Sequence, residues 1–206
     1  MIAKVCGLTR ETDLAALCRL ARVRYAGLIF VEASPRYVGV EPFARPRGSG
    51  VPGIEWVGVF RDQPLSHVLG VAQRWNLRGV QLHGTEDPAY AASVRAAGYL
   101  TLKAIGVRSA GDLRAASAYA GAVDYLLFDT PGGGTGRTFD WSRLAAYTGQ
   151  TPFLLAGGIG PGSGPRLAEL SHGRLAGVDL NSRFERAPGN KDLAALKTFL
   201  QDELPR

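Results

Sequence analysis

Eight short apolar runs recur along the chain at nearly constant intervals. Their starts are roughly 21 to 30 residues apart, about the length of one strand, one helix and two loops. Each run is continuously apolar, as expected for strands that are covered on both faces. This repeat predicts an α/β fold, a single (β/α)8 TIM barrel, with a doubly wound open sheet as the alternative. The runs are Ile2–Val5, Ala26–Phe30, Trp56–Phe60, Gly79–Leu82, Leu100–Ala104, Tyr125–Phe128, Phe153–Leu155 and Ala176–Leu180.

Helical patterns occupy several intervals between these runs. Thr9, Asp87 and Asp140 are the predicted N-caps, and Gly98 is the predicted end of the helix that begins at Pro88. Apolar residues repeat at helical spacing in four intervals. They are Leu14, Leu17, Cys18 and Ala21; Leu65, Val68, Leu69 and Ala72; Leu113, Ala116 and Tyr119 or Ala120; and Leu193, Leu196 and Leu200.

The second interval, from Tyr37 to Glu55, does not fit a complete helix. Proline and glycine are frequent there, and both interrupt helices. We therefore expect an irregular or shortened second helix, with one or two turns near Glu41–Arg45 followed by a loop. No linker or shift in composition divides the chain, so residues 1–206 are predicted to form one barrel domain.

Composition and cysteine content narrow the protein class. Apolar residues make up 46% of the chain and charged residues 20%, which is typical of a globular protein. There is no secretory leader pattern and no run of the roughly 18 apolar residues that a membrane span needs. The two cysteines, Cys6 and Cys18, are too few for a disulfide framework and lack metal-ligand spacing. We expect a cytoplasmic protein without a metal or a membrane partner.

The net charge of +6 raises the possibility of a nucleic-acid partner. However, 20 of the 24 basic residues are arginines scattered along the chain, and no basic block or aromatic RNA-binding motif accompanies them. We therefore expect no nucleic-acid partner. The positive charge is then explained either by a small anionic substrate or by an arginine-rich coding bias.

Reactive and charged residues follow several of the apolar runs. The carboxyl ends of parallel barrel strands lie at one face, where active sites are found. We therefore expect Cys6, Arg36, His83, Asp129 and Asp179 to lie around one pocket. Several have a structural alternative, such as a buried core thiol for Cys6.

Two small-residue loops predict a phosphate site. Gly157 and Gly158 follow the seventh run, and Asn181 and Ser182 follow the eighth. Without side chains, a glycine pair lets backbone N–H groups approach phosphate oxygens, and a short helix after strand 8 would add its positive end. A plain turn is the alternative for either loop alone.

The glycine-rich segment Gly132–Gly136 is not a nucleotide-binding P-loop. Pro131 stands where that motif needs its first glycine, and Arg137 stands where it needs lysine. We expect this segment to act as a lid that closes over Asp129.

An ordered set of motifs extends over nearly the whole chain. Through them the chain resembles the phosphoribosylanthranilate isomerases of tryptophan biosynthesis, which implies a TIM barrel. The motifs are Lys4–Thr9, Ser34–Val38, Val57–Phe60, Val80–Gly84, Phe128–Thr130, Gly133–Gly136, Phe139–Trp141, Leu155–Ile159, Gly177–Ser182, Pro188–Gly189 and Lys191–Asp192.

The resemblance implies an Amadori rearrangement that consumes no cofactor, with Asp129 as the general acid and Cys6 as the general base. For these roles the pKa of Asp129 has to be raised, which burial would do. The pKa of Cys6 should fall below about 8.5, helped by cationic neighbours. Lys4 is a candidate for that cation, or it orients the substrate, or it is only a polar residue of the barrel interior.

The resemblance also implies substrate contacts. Arg36 would bind the anthranilate carboxylate, because a guanidinium fork matches that group. Asp179 would accept a ribose hydroxyl, or orient Lys4 or the phosphate loop. His83 is a candidate for the substrate pocket. Arg183 and Phe184 depart from the small residues expected there, which leaves the course of the strand 8 loop open.

Two other functions remain open. A related isomerase of histidine biosynthesis runs the same rearrangement, alone or as a second specificity, but is expected to have Asp where Cys6 stands. A non-catalytic phosphate-binding barrel is the second alternative. The protein could be a monomer or a homodimer.

Overall fold

The computed structural model describes residues 1–39, 54–132 and 138–205. Eight parallel strands form a closed barrel in chain order. The first strand, β1, pairs with both the second and the last, so the barrel closes and the open-sheet alternative is excluded. The strands are β1 (Ile2–Val5), β2 (Val23–Ile29), β3 (Glu55–Phe60), β4 (Gly79–Leu82), β5 (Leu100–Gly106), β6 (Tyr125–Asp129), β7 (Phe153–Leu155) and β8 (Leu175–Leu180).

The strands coincide closely with the predicted apolar runs. Strands β1, β4 and β7 have the predicted bounds. The largest difference is at β2, which begins at Val23 rather than Ala26 because the half-polar segment before the apolar run also pairs with β1. Continuous apolar character thus located the strands, and pairing at the barrel rim extended their ends.

Helices follow most strands. Short 3₁₀ turns at Ala116–Tyr119 and Trp141–Ala146 extend or replace them, and a π-turn at Phe199–Glu203 follows the last helix. The α-helices are α1 (Glu11–Leu17), α2 (Leu65–Arg74), α3 (Pro88–Ala96), α4 (Ala110–Ala115), α5 (Gly164–Ala168) and α6 (Leu193–Thr198). Within the described ranges no helix is both long and apolar enough to cross a bilayer.

The predicted caps are confirmed at α3. The Asp87 side chain accepts the Tyr90 N–H at 2.7 Å, Pro88 opens the helix, and Gly98 follows it with φ of +91°. Asp140 likewise caps the 3₁₀ turn Trp141–Ala146.

The predicted cap at Thr9 is wrong. The N-cap of α1 is Arg10, which makes no capping side-chain hydrogen bond. The Thr9 hydroxyl instead donates to the Gly189 carbonyl at 2.9 Å. A contact 180 residues away in sequence therefore displaces the local preference of threonine for a cap.

Two predictions fall on residues outside the described ranges. They are the shortened second helix near Glu41–Arg45 and most of the lid segment Gly132–Gly136. The described residues that follow β2, 30–39, contain turns and one isolated bridge but no helix.

Two apolar clusters form the core. The larger one lies between the barrel and its surrounding helices. The smaller one includes Tyr25, Val57, Leu102, Leu127 and Leu154. Val57, Leu127 and Leu154 lie on strand faces that, two positions further on, line the pocket described below. The interior of the barrel is therefore packed below the site and open only at its carboxyl end.

The course of the strand 8 loop is now defined. A 3₁₀ turn at Ser182–Phe184 is followed by a hairpin of β9 (Glu185–Ala187) and β10 (Asn190–Lys191). Phe184 is fully buried, with its ring 5.1 Å from that of Phe199. The large residue is accommodated because it packs into the core away from the pocket.

Candidate active site

A cavity of about 370 Å³ opens at the carboxyl ends of the strands. The structure brings together there Cys6, Arg36, His83, Asp129 and Asp179, which the sequence placed after different strands. The predicted phosphate-loop residues Gly157, Gly158, Asn181 and Ser182 also line it. Lys4 lies beneath this lining and is fully buried.

Lys4 and Asp179 form an ion pair inside the barrel. They face each other in the β1–β8 register, and Lys4 Nζ donates to both carboxylate oxygens at 3.0 Å. Burial acts to lower the pKa of Lys4, but Asp179 and Cys6 outweigh it and raise that pKa. Lys4 therefore keeps its charge, and orienting Lys4 is the role of Asp179 that the geometry favours among those considered.

The expectation of a lowered pKa for Cys6 is wrong. The thiol is 4% exposed, and burial raises its pKa above the ordinary 9.0. Lys4 opposes this effect most strongly, but Asp179 shares the charge of Lys4 and itself raises the pKa of Cys6. The β2 backbone packs closely against the thiol, because a Cβ atom on Gly27 would lie 2.6 Å from Cys6 Sγ.

Asp129 has the shift that a general acid requires. Burial, followed by the charge of Asp179, raises its pKa to about 6, and the Thr130 N–H at 2.7 Å only partly offsets this. The loop after β7 encloses the carboxyl group. Gly157 has φ of +83°, and a Cβ atom there would lie 3.0 Å from Asp129 Oδ1.

His83 lies between a buried amide and this carboxyl group. Its Nδ1 is 3.0 Å from Gln81 Nε2, and its Nε2 is 3.7 Å from Asp129 Oδ2. Burial, followed by the charges of Lys4 and Lys103, lowers the pKa of His83 to about 4. The imidazole is therefore neutral at physiological pH.

The sequence did not single out Glu185, and it gave Lys191 only as part of a motif, without a role. Arg36 forms a two-point ion pair with Glu185, at 2.7 Å from Nη2 to Oε2. Lys191 Nζ donates to the other Glu185 oxygen at 2.8 Å and to Asn181 Oδ1 at 2.9 Å. The available signal was the turn Pro188–Gly189, which brings two charged residues face to face as a hairpin.

The two predicted phosphate loops both line the cavity. Gly157 and Gly158 have φ of +83° and +66°, a left-handed backbone conformation that favours glycine. Ser182 begins the 3₁₀ turn after β8, and Lys191 adds a buried positive charge beside Asn181. This combination of amides and charge suits an anion.

The family model for N-(5′-phosphoribosyl)anthranilate isomerase matches residues 3–202. The chain belongs to this family. A family member from Phocaeicola vulgatus, named N-(5′-phosphoribosyl)anthranilate isomerase, is 41% identical over 203 residues, covering 97% of this chain and 96% of its own.

Solved structures of the family have the same architecture. The phosphoribosylanthranilate isomerase of Thermotoga maritima has a TM-score of 0.87 and 31% identity, with 98% of both chains covered. A second phosphoribosylanthranilate isomerase structure has a TM-score of 0.84 and 29% identity, with 98% of both chains covered. That structure is a complex with reduced 1-(o-carboxyphenylamino)-1-deoxyribulose 5-phosphate. Both similarities extend over the whole barrel rather than over a motif.

Proposed function

We propose that the chain converts N-(5′-phosphoribosyl)anthranilate to 1-(2-carboxyphenylamino)-1-deoxyribulose 5-phosphate, a step of tryptophan biosynthesis. The observation that carries this proposal is that Cys6, directly after β1, and Asp129, at the end of β6, line one cavity together with the glycine loop after β7. An acid and a base on different strands can act on two atoms of one sugar. Family membership supplies the substrate.

The reaction needs no oxidant, and two proton transfers lead to an enolamine. Asp129 gives its proton to the ring oxygen of the ribose, and the bond from that oxygen to C1′ breaks as the nitrogen lone pair forms a C=N bond. The Cys6 thiolate then removes the proton from C2′, and the electrons form an enolamine. Loss of the 2′-hydroxyl proton and addition of a proton at C1′ give the ketone. Each positioned group contributes a factor of about 10² to 10⁴.

The two pKa values restrict how much enzyme is ready to react. The pKa of Asp129 is about 6, and burial raises that of Cys6 above its ordinary value. The form with Asp129 protonated and Cys6 ionised is therefore a minor fraction of the free enzyme. Lys4 is the main group that opposes burial at Cys6, so its ammonium sets the size of this fraction.

The substrate's two anionic groups have matching partners. Arg36 binds the anthranilate carboxylate with the guanidinium edge that Glu185 leaves unused. The phosphate binds to the backbone of Gly157 and Gly158 and at Asn181 and Ser182. No cofactor takes part, because the rearrangement moves only protons and one internal bond.

The deciding experiment follows the fluorescence of phosphoribosylanthranilate as the purified protein consumes it, with the histidine-pathway substrate assayed in parallel. We expect turnover of the first substrate only, because Cys6 stands where the histidine-pathway enzyme is expected to have Asp. Turnover of both would establish dual specificity. Phosphosugar binding without any turnover would support a non-catalytic barrel and refute the proposal.

We further propose a cytoplasmic enzyme without nucleic-acid or membrane partners, either a monomer or a homodimer. A solved relative from Thermotoga maritima is described as monomers generated from a dimeric phosphoribosylanthranilate isomerase. Light scattering on the purified protein, at concentrations on both sides of the assay concentration, distinguishes the two states.

A further inference from the structure

Gln81, His83 and Asp129 form a row from the barrel interior to the cavity. Gln81 is 1% exposed and lies on β4, two residues before His83. Gln81 Nε2 and His83 Nδ1 are 3.0 Å apart, and His83 Nε2 faces Asp129 Oδ2 at 3.7 Å. The backbone beside His83 is held as well, because Glu86 accepts the N–H of Gly84 at 2.9 Å.

The amide determines which imidazole nitrogen carries the proton. When Gln81 Nε2 donates, Nδ1 accepts and the proton resides on Nε2. Gln81 Oε1 is buried and has no hydrogen-bond partner among the described residues. The reversed amide would leave a buried NH₂ group, with two donors, without a partner, which costs more free energy than one unpaired acceptor.

The charges around His83 keep the ring neutral. After burial, positive groups on β1, on β5 and after β3 act to lower its pKa to about 4, and one acid after β4 opposes them. Asp129 faces it from β6. The positive groups are Lys4, Lys103 and Arg61, and the acid is Glu86.

We propose that Gln81 and His83 are positioning residues for the acid step: Gln81 fixes His83 as the Nε2–H tautomer, whose N–H binds the carboxylate that Asp129 becomes. This inference rests on the proposed function. When Asp129 Oδ2 gives its proton to the ring oxygen, Oδ2 gains a full negative charge. The His83 N–H stabilises that charge as it develops, and it loses no proton itself. A separation of 3.7 Å in the free protein allows this hydrogen bond to form in the complex with substrate.

The protonation of the ring can be measured directly. His67, His83 and His172 are the three histidines of the chain, so nitrogen-15 spectra of the imidazoles are readily assigned with the variant His83→Gln. We expect neutral His83 with its proton on Nε2 at pH 7, and a mixture of tautomers in Gln81→Met. A proton on Nδ1, which would make His83 an acceptor for the Asp129 proton, overturns the proposal.

Kinetics test the consequence for catalysis. We expect kcat at pH 7 to fall about 10- to 100-fold in His83→Ala and Gln81→Met. The low-pH limb of the kcat profile should also move to higher pH, because in the proposed arrangement the Asp129 carboxylate loses a donor that stabilises it. His83→Gln, which keeps an N–H near the same place, should recover part of both losses. The exposed His67→Gln is the matched control and should resemble wild type.

The two proposals can fail separately. If His83→Ala and Gln81→Met both keep the wild-type kcat and the wild-type position of the low-pH limb, the positioning role is overturned. The isomerase function would remain intact. Equal impairment of His83→Gln and His83→Ala would overturn it too, because a donor would then bring no benefit. Absence of wild-type turnover would refute the isomerase function, and the nitrogen-15 spectra would still decide the tautomer.

Discussion

The Arg36 guanidinium is bound edge-on by Glu185, 149 residues later in the chain. Nε lies 3.0 Å from both carboxylate oxygens, and Nη2 lies 2.7 Å from Oε2. Lys191 donates to the same carboxylate, so two cations share one anion at this side of the cavity. The corner carries an excess positive charge, and Arg36 Nη1 has no hydrogen-bond partner among the described residues. A carboxylate on the substrate would balance that charge.

Removing Glu185 should weaken both folding and substrate binding. In Glu185→Ala two buried cations lose their shared partner, and we expect the free energy of unfolding to fall by about 2 to 5 kcal/mol. KM for phosphoribosylanthranilate should rise more than kcat falls, because Arg36 loses its orientation. Urea unfolding and steady-state kinetics measure the two effects. Glu185→Gln, which keeps one acceptor oxygen, should lie between; wild-type stability in Glu185→Ala would contradict the argument.

The same ion pair should make stability depend on acid pH. Burial acts to raise the pKa of Glu185, but Arg36 and Lys191 outweigh it and hold that pKa below 4.5. A lowered pKa adds stability that is complete above the unfolded value and is lost as pH falls through the folded value. Wild-type stability should therefore drop below pH 4.5, and Glu185→Gln should show a shallower drop. If stability falls equally steeply with pH in wild type and Glu185→Gln between pH 3 and 6, other carboxyl groups cause the acid sensitivity.

The acid and the base should be separately indispensable. We expect Cys6→Ser and Asp129→Asn each to lower kcat by at least ~100-fold while ligand affinity stays measurable, because such groups act mainly in the transition state. Turnover assays and product-analogue titration check both parts. Cys18→Ser, on the same chain but outside the cavity lining, is the control and should keep its activity. Near-normal turnover in either site variant removes that residue from its role.

The pH dependence of kcat/KM follows from the raised pKa values of Asp129 and Cys6. Below about 6 Asp129 stays protonated and the Cys6 thiolate grows with pH, so kcat/KM should rise. Above that value the two fractions compensate and the profile should be flat, until it falls above the raised pKa of Cys6. In Lys4→Met the pKa of Cys6 should rise further, which lowers the plateau and moves the upper limb to higher pH. The exposed Lys197→Met should leave the profile unchanged.

A methyl group opposite the thiol should damage the site. In Gly27→Ala the new Cβ would lie 2.6 Å from Cys6 Sγ, against backbone that cannot move freely. We expect kcat to fall at least ~10-fold and stability to fall by about 1 to 3 kcal/mol. Gly70→Ala is the matched substitution, since nothing lies within 4 Å of a Cβ in helix α2, and it should add about 0.5 to 1 kcal/mol with normal activity. Equal behaviour of the two variants would show that the close packing is unimportant.

The sequence predicted the barrel well because its signals are local. A strand that is covered on both faces must be apolar along its length, so the runs Ile2–Val5 and Phe153–Leu155 carry their own boundaries. Asp87 and Pro88 likewise define a helix start within two residues. The cap at Thr9 failed because the hydroxyl had a partner at Gly189 that no local pattern reveals.

The sequence predicted several residues that line the cavity and the raised pKa of Asp129, but neither the pKa of Cys6 nor the contacts of Glu185. Cys6 and Asp129 were placed correctly by their positions at strand ends. The direction of the Cys6 shift was wrong because it depends on how completely the fold buries the thiol and on how Asp179 shares Lys4. Glu185 was missed because its partner Arg36 is 149 residues away in sequence. An ion pair between residues so far apart produces no recognisable spacing pattern in the sequence.

The pairing of Lys4 with Asp179 joins the first strand to the eighth, 175 residues apart. During synthesis the amino-terminal lysine and thiol emerge long before their counter-charge is made. The reactive centre is therefore completed only when the last strand docks, and a nascent or truncated chain that lacks β8 holds a cysteine without its final electrostatic surroundings. The active site is therefore complete only after the barrel has closed.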